Sequence, residues 1–220
     1  MIVTIDGPAG AGKSTAAREL ARRIGFDYLD TGAMYRAVTW LVLQQGISPD
    51  DEAAVGRIAE QIEIEFAGET VQVNGRNVTR EIRSDSVNQN ISAISDNHRV
   101  REEMVRRQQA IATQGNYVCE GRDQGTVAFP DAPCKIFLTA TPEARARRRC
   151  DELSRKNEPA EYDAILRQQT DRDRRDKSRP YGALIKAPDA EELVTDNLTL
   201  EQVVERLTEI VAAKLGLTLS

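Results

Sequence analysis

The chain has 220 residues, of which 40% are hydrophobic and 30% charged, and its formal net charge is −5. This length supports one α/β domain with a full core and inserted subdomains, and it falls short of two independent domains. The acidic balance gives no general affinity for nucleic acid, and no apolar run reaches the roughly 18 residues of a membrane helix. With no secretory leader visible, we expect a cytoplasmic protein that binds neither nucleic acid nor membrane.

The cysteines indicate no metal centre and no disulfide framework. Cys119, Cys134 and Cys150 are odd in number and lack C-x-x-C spacing. We therefore expect buried or unreactive thiols.

Nothing in the sequence demands a partner chain, so a monomer is the expected state.

Short apolar runs alternate with helical patterns along the chain. This alternation predicts an α/β fold with a five-stranded, mostly parallel sheet flanked by helices. The predicted strands are Ile2 to Ile5, Tyr28 to Asp30, Asn116 to Cys119, Lys135 to Thr139 and Leu193 to Thr195.

Two further stretches have patterns of their own, one inside the chain and one near its end. In residues 62–78, apolar and polar positions alternate around the two-residue turn signal Asn74-Gly75, which predicts a small antiparallel β insert. Near the end, Thr199 and Gln202 have capping-box spacing before an apolar helical stripe. That last helix is expected to serve packing only.

Residues 7–14 match the pattern G-x-x-x-x-G-K-[ST] without a mismatch, directly after the first predicted strand. It predicts a bound nucleoside triphosphate: backbone N–H groups hold the phosphates, Lys13 reaches the β and γ phosphates, and Ser14 ligates Mg²⁺. An ordinary glycine-rich turn is disfavoured because a helical pattern follows and closes at Gly25. The residues of this loop are Gly7, Pro8, Ala9, Gly10, Ala11, Gly12, Lys13, Ser14 and Thr15.

The loop alone does not separate a GTPase switch, a motor ATPase and a small-molecule kinase. The chain contains neither an Asn-Lys-x-Asp guanine reader nor a Leu-Ser-Gly-Gly transporter signature. It does carry arginines in several distant segments, as phosphotransfer to a second anionic molecule requires. These arginines are Arg36, Arg101, Arg122, Arg148, Arg172 and Arg179.

Three further segments hold polar groups where an open α/β sheet binds ligands. Residues 30–36 open a helix after the second strand, and residues 120–126 leave the third strand with two carboxylates and an arginine between glycines. Arg172, Arg175 and Arg179 share a helix face with Asp176. Taken alone, the first segment is equally an ordinary glycine turn, and the third competes with a solvated charged helix.

Taken together, the loop and these segments resemble the bacterial cytidylate kinases over nearly the whole chain. The matching stretches are Gly-Pro-Ala-Gly-Ala-Gly-Lys-Ser-Thr, residues 30–36, residues 120–132 and residues 171–176. The resemblance implies a P-loop kinase that transfers the γ-phosphoryl of ATP to CMP or dCMP with Mg²⁺. It also implies a core of residues 1–31, 97–144 and 171–220, a monophosphate-binding region at 32–96 and a helical lid at 145–170.

The resemblance also assigns roles within this single domain. Arg36, Arg122 and Arg179 would hold the acceptor phosphate. Ser92, Arg101 and Asp123 would read cytosine, since a carboxylate accepts the N4 hydrogen bond that uracil does not offer. The sugar would meet Arg172 and Asp176, and Arg148 would neutralise charge on the migrating phosphoryl. The remaining acceptor-site residues would be Thr31, Tyr35 and Gly121.

Some alternatives stay open at this stage. Spacing does not tell which of Arg147, Arg148 and Arg149 enters the site, and Gln124 stands where an apolar residue is common in the family. The rival functions are another small P-loop kinase, acting on a different monophosphate or on a metabolite such as shikimate, and a sensor module that binds ATP without transferring phosphate.

Overall fold

The computed structural model describes residues 1–155 and 157–217. Its contacts divide the chain into two compact units. The first unit consists of Met1–Leu29 and the chain from Ala112 onward, and the second unit is Asp30–Ile111. None of the described helices combines the length and hydropathy that a membrane crossing requires.

The described elements follow the predicted order of strands and helices. The strands are β1 (Ile2–Asp6), β2 (Asp27–Asp30), β3 (Ile64–Ala67), β4 (Thr70–Val73), β5 (Arg76–Asn77), β6 (Tyr117–Gly121), β7 (Cys134–Thr139) and β8 (Glu191–Val194). The helices are α1 (Lys13–Ile24), α2 (Thr31–Gln44), α3 (Glu52–Gln61), α4 (Asp85–Asp96), α5 (His98–Ala112), α6 (Pro142–Arg155), α7 (Tyr162–Ser178) and α8 (Leu200–Leu215).

The main sheet has the strand order β2-β6-β1-β7-β8, with β1 at its centre. β1 pairs in parallel with β6 and β7, and β7 pairs in parallel with β8. The predicted five-stranded α/β sheet is therefore confirmed. Since the chain runs in one direction through these strands, their carboxyl ends, including Asp6 and Gly121, lie at one edge.

The first unit folds around one apolar layer between the sheet and two helices. Val3 and Ile5 alternate along β1 and pack with Leu20 of α1 and Leu207 of α8. The predicted helix ends are confirmed: Gly25 closes α1 with φ 70°. The Thr199 side chain accepts from the backbone N–H of Gln202, whose own side chain accepts from the Thr199 N–H, so the capping box starts α8.

The second unit has its own core and contains the small sheet. β3, β4 and β5 are antiparallel, and the turn between β4 and β5 carries Asn74 and Gly75 with φ 49° and 75°, which confirms the predicted insert. Val100 and Met104 of α5 share a core cluster with Met34 of α2. α5 thus packs within the second unit, although the sequence grouped residues 97–144 with the core region.

The thiols are isolated and mostly inaccessible. Cys119 and Cys134 are buried on the main sheet, and Cys150 is half-buried on α6; all three are free. Burial raises the pKa of the Cys119 thiol to about 12 and that of Cys134 to about 11. These two cysteines are therefore core residues without nucleophilic character at neutral pH.

Candidate active site

The glycine-rich loop lies between β1 and α1, as its motif predicts. Helix α1 begins at Lys13, with Gly12 as N-cap at φ 89°. At Gly7 the φ is 148°, and a Cβ atom there would lie 1.9 Å from the Leu138 carbonyl oxygen. Only glycine lets the backbone pass this close to β7. The free N–H groups of the α1 start and the helix dipole suit an anion.

Lys13 is held across the loop and is almost completely buried. Its Nζ donates to the Pro8 carbonyl oxygen at 2.8 Å. Burial, followed by repulsion from Arg122, lowers the Lys13 pKa to about 7, although Glu120 and Asp6 act in the opposite direction. A phosphate group arriving beside Nζ would favour the charged form again. The loop therefore holds a cation whose charge is suited to a bound anion.

Ser14, the expected metal ligand, lies beside a carboxylate. Ser14 Oγ donates to Glu120 Oε1 at 2.7 Å, and the Tyr28 hydroxyl lies 3.4 Å from the same oxygen. A hydroxyl and a carboxylate are the hard oxygen donors that Mg²⁺ prefers, with its other positions filled by phosphates and water. Within the described ranges, no cluster of three His, Cys, Asp or Glu side chains could hold a metal alone. The donor set fits a metal that arrives with a nucleotide.

A buried carboxylate joins two of the predicted phosphate-binding arginines. Asp176 Oδ2 accepts from Arg122 Nε at 2.9 Å, and Asp176 Oδ1 lies 2.7 Å from Arg179 Nη2. Burial acts to raise the Asp176 pKa, but Arg122, Arg179 and Arg172 outweigh it and lower the pKa below its usual value. One negative charge between three guanidinium groups leaves a net positive site, which is suited to a second phosphate.

Two of the helix residues behave differently from the sequence expectation. α7 ends at Ser178, so Arg179 is the residue just beyond the helix, while Arg175 is exposed. Both oxygens of Asp176 form ion pairs with arginines, so the side chain orients Arg122 and Arg179. This role is independent of any contact with a sugar. The assignment of Asp176 to the sugar hydroxyls stays a prediction, as does that of Arg172.

Arg145 contacts the phosphate loop although the sequence assigned it no role. It is 2% exposed, and it donates to the Ala9 carbonyl at 2.8 Å and to the Ala140 carbonyl at 3.1 Å. Its Nη2 also lies 2.5 Å from Asp173 Oδ2 on α7. Burial of a charged residue requires such partners. The sequence offered no signal that separates Arg145 from the other arginines of residues 145–149.

The three consecutive arginines of α6 separate in the structure. Arg148 Nη1 donates to Thr195 Oγ1 at 3.0 Å and lies 3.4 Å from the Ala11 carbonyl. Arg149 pairs with Glu152 at 2.8 Å, and Arg147 is exposed. Arg148 is thus the member that reaches the phosphate loop. Its role at the migrating phosphoryl stays a prediction.

Within the second unit, the predicted residues are held by helix neighbours. Arg36 Nη1 donates to Asn88 Oδ1 at 2.6 Å. Arg101 is 2% exposed, donates to the Ser95 carbonyl at 3.0 Å and lies 5.4 Å from the centre of the Tyr35 ring. Ser92 is half-buried on α4, and its carbonyl accepts from Ser95 Oγ at 3.1 Å. Thr31 is buried at the first residue of α2.

The carboxyl end of β6 carries the remaining predicted residues. Gly121 is the last residue of β6, and its carbonyl accepts from Arg122 Nη1 at 3.2 Å. Asp123 is 3% exposed. The next two backbone N–H groups, of Gln124 and Gly125, donate to Asp6. Asp6 is not among the residues predicted from the sequence; its only signal there is a carboxylate that ends an apolar strand directly before the loop.

A phosphate loop that leads from the central strand of a parallel sheet into a helix, with a buried lysine and additional buried arginines, defines a P-loop kinase. The family model described as cytidylate kinase matches residues 3–213. The chain therefore belongs to the cytidylate kinase family.

Individual relatives agree with this membership. The chain is 46% identical over 211 residues to the cytidylate kinase of Rhodopirellula baltica, covering 96% of this chain and 92% of that protein. It is 45% identical over 209 residues to the cytidylate kinase of Fervidobacterium nodosum, covering 95% of each. A bifunctional pantoate ligase/cytidylate kinase of Prochlorococcus marinus is 46% identical over 215 residues, covering 95% of this chain but only 43% of that protein.

Among solved structures, the TT1252 protein of Thermus thermophilus is similar with a TM-score of 0.52 and 19% identity, covering 98% of this chain and 97% of that one. An uncharacterised protein of Eubacterium ventriosum has a TM-score of 0.53 and 12% identity over 97% of this chain and 99% of that one. These two likenesses concern the fold alone.

Proposed function

We propose that this protein transfers the γ-phosphoryl of ATP to CMP or dCMP, giving ADP and CDP or dCDP. The observation that carries the proposal is the Arg122–Asp176–Arg179 cluster in the same unit as the phosphate loop. A single bound triphosphate does not need these cations, because Lys13 and the loop N–H groups already bind its phosphates. Arg122 and Arg172 also lower the pKa of Lys13, so the two sets of cations lie within one electrostatic field. This favours phosphotransfer over an ATP sensor.

The proposed chemistry requires no general base. The acceptor phosphate already carries an anionic oxygen, which forms a bond to the γ phosphorus while the bond from that phosphorus to the β–γ bridging oxygen breaks and ADP leaves. Lys13 offsets charge on the transferring group, and Arg122 and Arg179 hold the acceptor phosphate. Asp176 fixes the direction of both guanidinium groups. When bound at Ser14, with Glu120 beside it, Mg²⁺ supplies neutralisation of the triphosphate.

Base selection is assigned to a carboxylate. Asp123 would accept the hydrogen bond of the cytosine N4 amino group, whereas the uracil oxygen at that position would be repelled. Arg36 is proposed to bind the acceptor phosphate, and Ser92 and Arg101 the cytosine. The sugar is assigned to Arg172 and Asp176. Monomeric state and cytoplasmic location stay predictions from the sequence.

Coupled measurement of ADP release against CMP, dCMP, UMP, AMP and shikimate tests this function. We expect rapid ADP release with CMP and dCMP, with CDP or dCDP identified as product by chromatography. Preference for another acceptor would identify a different small kinase. Tight ATP binding without acceptor-dependent ADP release would identify a sensor module.

A further inference from the structure

Asp6 uses both oxygens of a buried carboxylate to hold backbone N–H groups from a distant segment. It is the last residue of β1, directly before Gly7, and it is 5% exposed. Oδ1 accepts from Gln124 N at 2.8 Å, and Oδ2 accepts from Gly125 N at 2.7 Å. When the carboxyl group is ionised, these hydrogen bonds are charge-assisted and roughly twice as strong as neutral ones.

The segment that Asp6 holds begins one residue after Asp123. Residues Gln124–Ala128 form a π-helical turn. Later N–H groups of this turn donate to the Asp123 carbonyl, among them Val127 N at 2.8 Å. The first N–H groups of a helical turn have no acceptor within the turn itself. Asp6 supplies that acceptor from β1, and so caps the turn from another strand.

Packing brings the turn against the same strand. A Cβ atom added at Gly125 would lie 3.0 Å from Thr4 Oγ1, 3.2 Å from Lys135 Cδ and 3.4 Å from Asp6 Oδ2. The glycine therefore permits the close approach that the two hydrogen bonds require. A side chain at this position would crowd these three side chains, so that they or the turn must shift by a few tenths of an ångström.

Asp6 interacts electrostatically with residues assigned to each of the two substrates, ATP and the acceptor nucleotide. Burial raises the Asp6 pKa to about 7, the two N–H bonds act to lower it, Asp123 acts to raise it and Lys13 acts to lower it. The carboxylate is thus close enough to interact with the lysine of the donor loop and with the carboxylate assigned to cytosine.

We propose that Asp6 is a positioning residue that fixes Arg122 and Asp123, and through them the acceptor nucleotide, with respect to the phosphate loop. This rests on the proposed function, since it takes Arg122 and Asp123 as acceptor ligands. Asp6 itself contacts neither substrate. Its effect is expected on acceptor binding, while ATP binding depends on the loop N–H groups and Lys13.

The test separates acceptor from donor binding in the variant Asp6→Asn. An amide offers one acceptor oxygen in place of two and turns a donor toward the second N–H, so the turn loses a charge-assisted hydrogen bond. We expect the KM for CMP to rise about tenfold, with the KM for ATP and the affinity for MgATP within about twofold. Asp51→Asn is the matched control, because Asp51 also accepts a backbone N–H, from Ala54 at 2.9 Å.

A second variant covers the case in which Asp6→Asn does not fold. Gly125→Ala crowds the contact between the turn and β1 while leaving the Asp6 side chain intact, and we expect it to give the same split between CMP and ATP. An equal rise in both KM values, or no change in either, would overturn the proposal. If the wild-type protein prefers another acceptor, the proposed function fails and the KM split for that acceptor still decides the role of Asp6. Without any acceptor-dependent ADP release, both proposals fail.

Discussion

The two units hold their predicted ligand residues in different ways. In the first unit these residues are held largely by ion pairs or by hydrogen bonds to carboxylates, as between Ser14 and Glu120 or between Arg122 and Asp176. In the second unit they lie on helices and donate to neutral oxygens of other helices, as Arg36 does to Asn88 Oδ1 and Arg101 to the Ser95 carbonyl. The first arrangement relies mainly on charged groups, whose interactions are strengthened where they are buried. The second relies on packing and on neutral acceptors.

This contrast separates effects on catalysis and stability from effects on binding. Substitutions in the first unit should remove charge that is needed in the transition state or leave a buried partner charge unpaired. Substitutions in the second unit should weaken binding of the acceptor and leave the ATP-dependent step intact. The following experiments test that division in order of decreasing expected effect.

Lys13→Ala should have the largest effect. Removing the buried cation of the phosphate loop takes away charge stabilisation of the transferring phosphoryl, and kcat should fall on the order of 10²–10³-fold. The measurement is steady-state ADP production at saturating CMP. Lys214→Ala, at an exposed lysine of the same unit, should retain wild-type turnover. Near wild-type turnover in Lys13→Ala would contradict the assignment of the loop.

Asp176→Asn should lower the free energy of unfolding by about 3 kcal/mol, because it leaves Arg122 and Arg179 without their buried counter-charge. Denaturant unfolding followed by circular dichroism measures this change. Asp171→Asn is the control on the same helix, since Asp171 pairs with Arg174 in solvent and should change stability by less than about 0.5 kcal/mol. Equal stability of the two variants would show that the buried cluster adds nothing to the fold.

Arg101→Ala should raise the KM for CMP about tenfold and leave the KM for ATP unchanged, since a lost hydrogen bond to a charged donor has this order of effect. Arg99→Ala on the same helix is the control, because Arg99 is exposed and pairs with Glu60 at 2.9 Å. A fall in melting temperature without any change in the KM for CMP would make Arg101 a structural residue, held by Ser95 and Tyr35.

The pH dependence of stability reports on Asp6, and its expected change per pH unit is the smallest of these effects. Burial raises its folded pKa from 3.8 to about 7, so the folded state keeps a proton that the unfolded state releases. The stability from this group is complete below pH 4 and is lost as pH rises to 7. The difference in unfolding free energy, Asp6→Asn minus wild type, should therefore rise by about 1 kcal/mol per pH unit across this window. Parallel stability curves would contradict the raised pKa.

The features that could be predicted from the sequence are those that depend on a local pattern of residues. The individual strands of the main sheet, the Asn74-Gly75 hairpin and the Thr199 capping box each follow from spacing within one segment. The phosphate loop likewise needs only its own glycines and the strand and helix beside it. These features are set by the backbone preferences of neighbouring residues.

The partners of the charged residues could not be predicted in this way. Arg145 bonds to Ala9, 136 positions away, and Asp6 bonds to Gln124, 118 positions away. Such pairs arise only when strand order and helix packing bring distant segments together. For the same reason, sequence spacing did not distinguish Arg148 from its two neighbours.

The half-buried thiol on α6 makes the native chain suitable for spectroscopy. Cys119 and Cys134 are buried and their pKa values are raised, so a maleimide dye should react selectively at Cys150. Such a label would sit two residues beyond Arg148, on the helix that contacts the phosphate loop. Fluorescence from this single position could follow nucleotide addition in real time without any engineered cysteine.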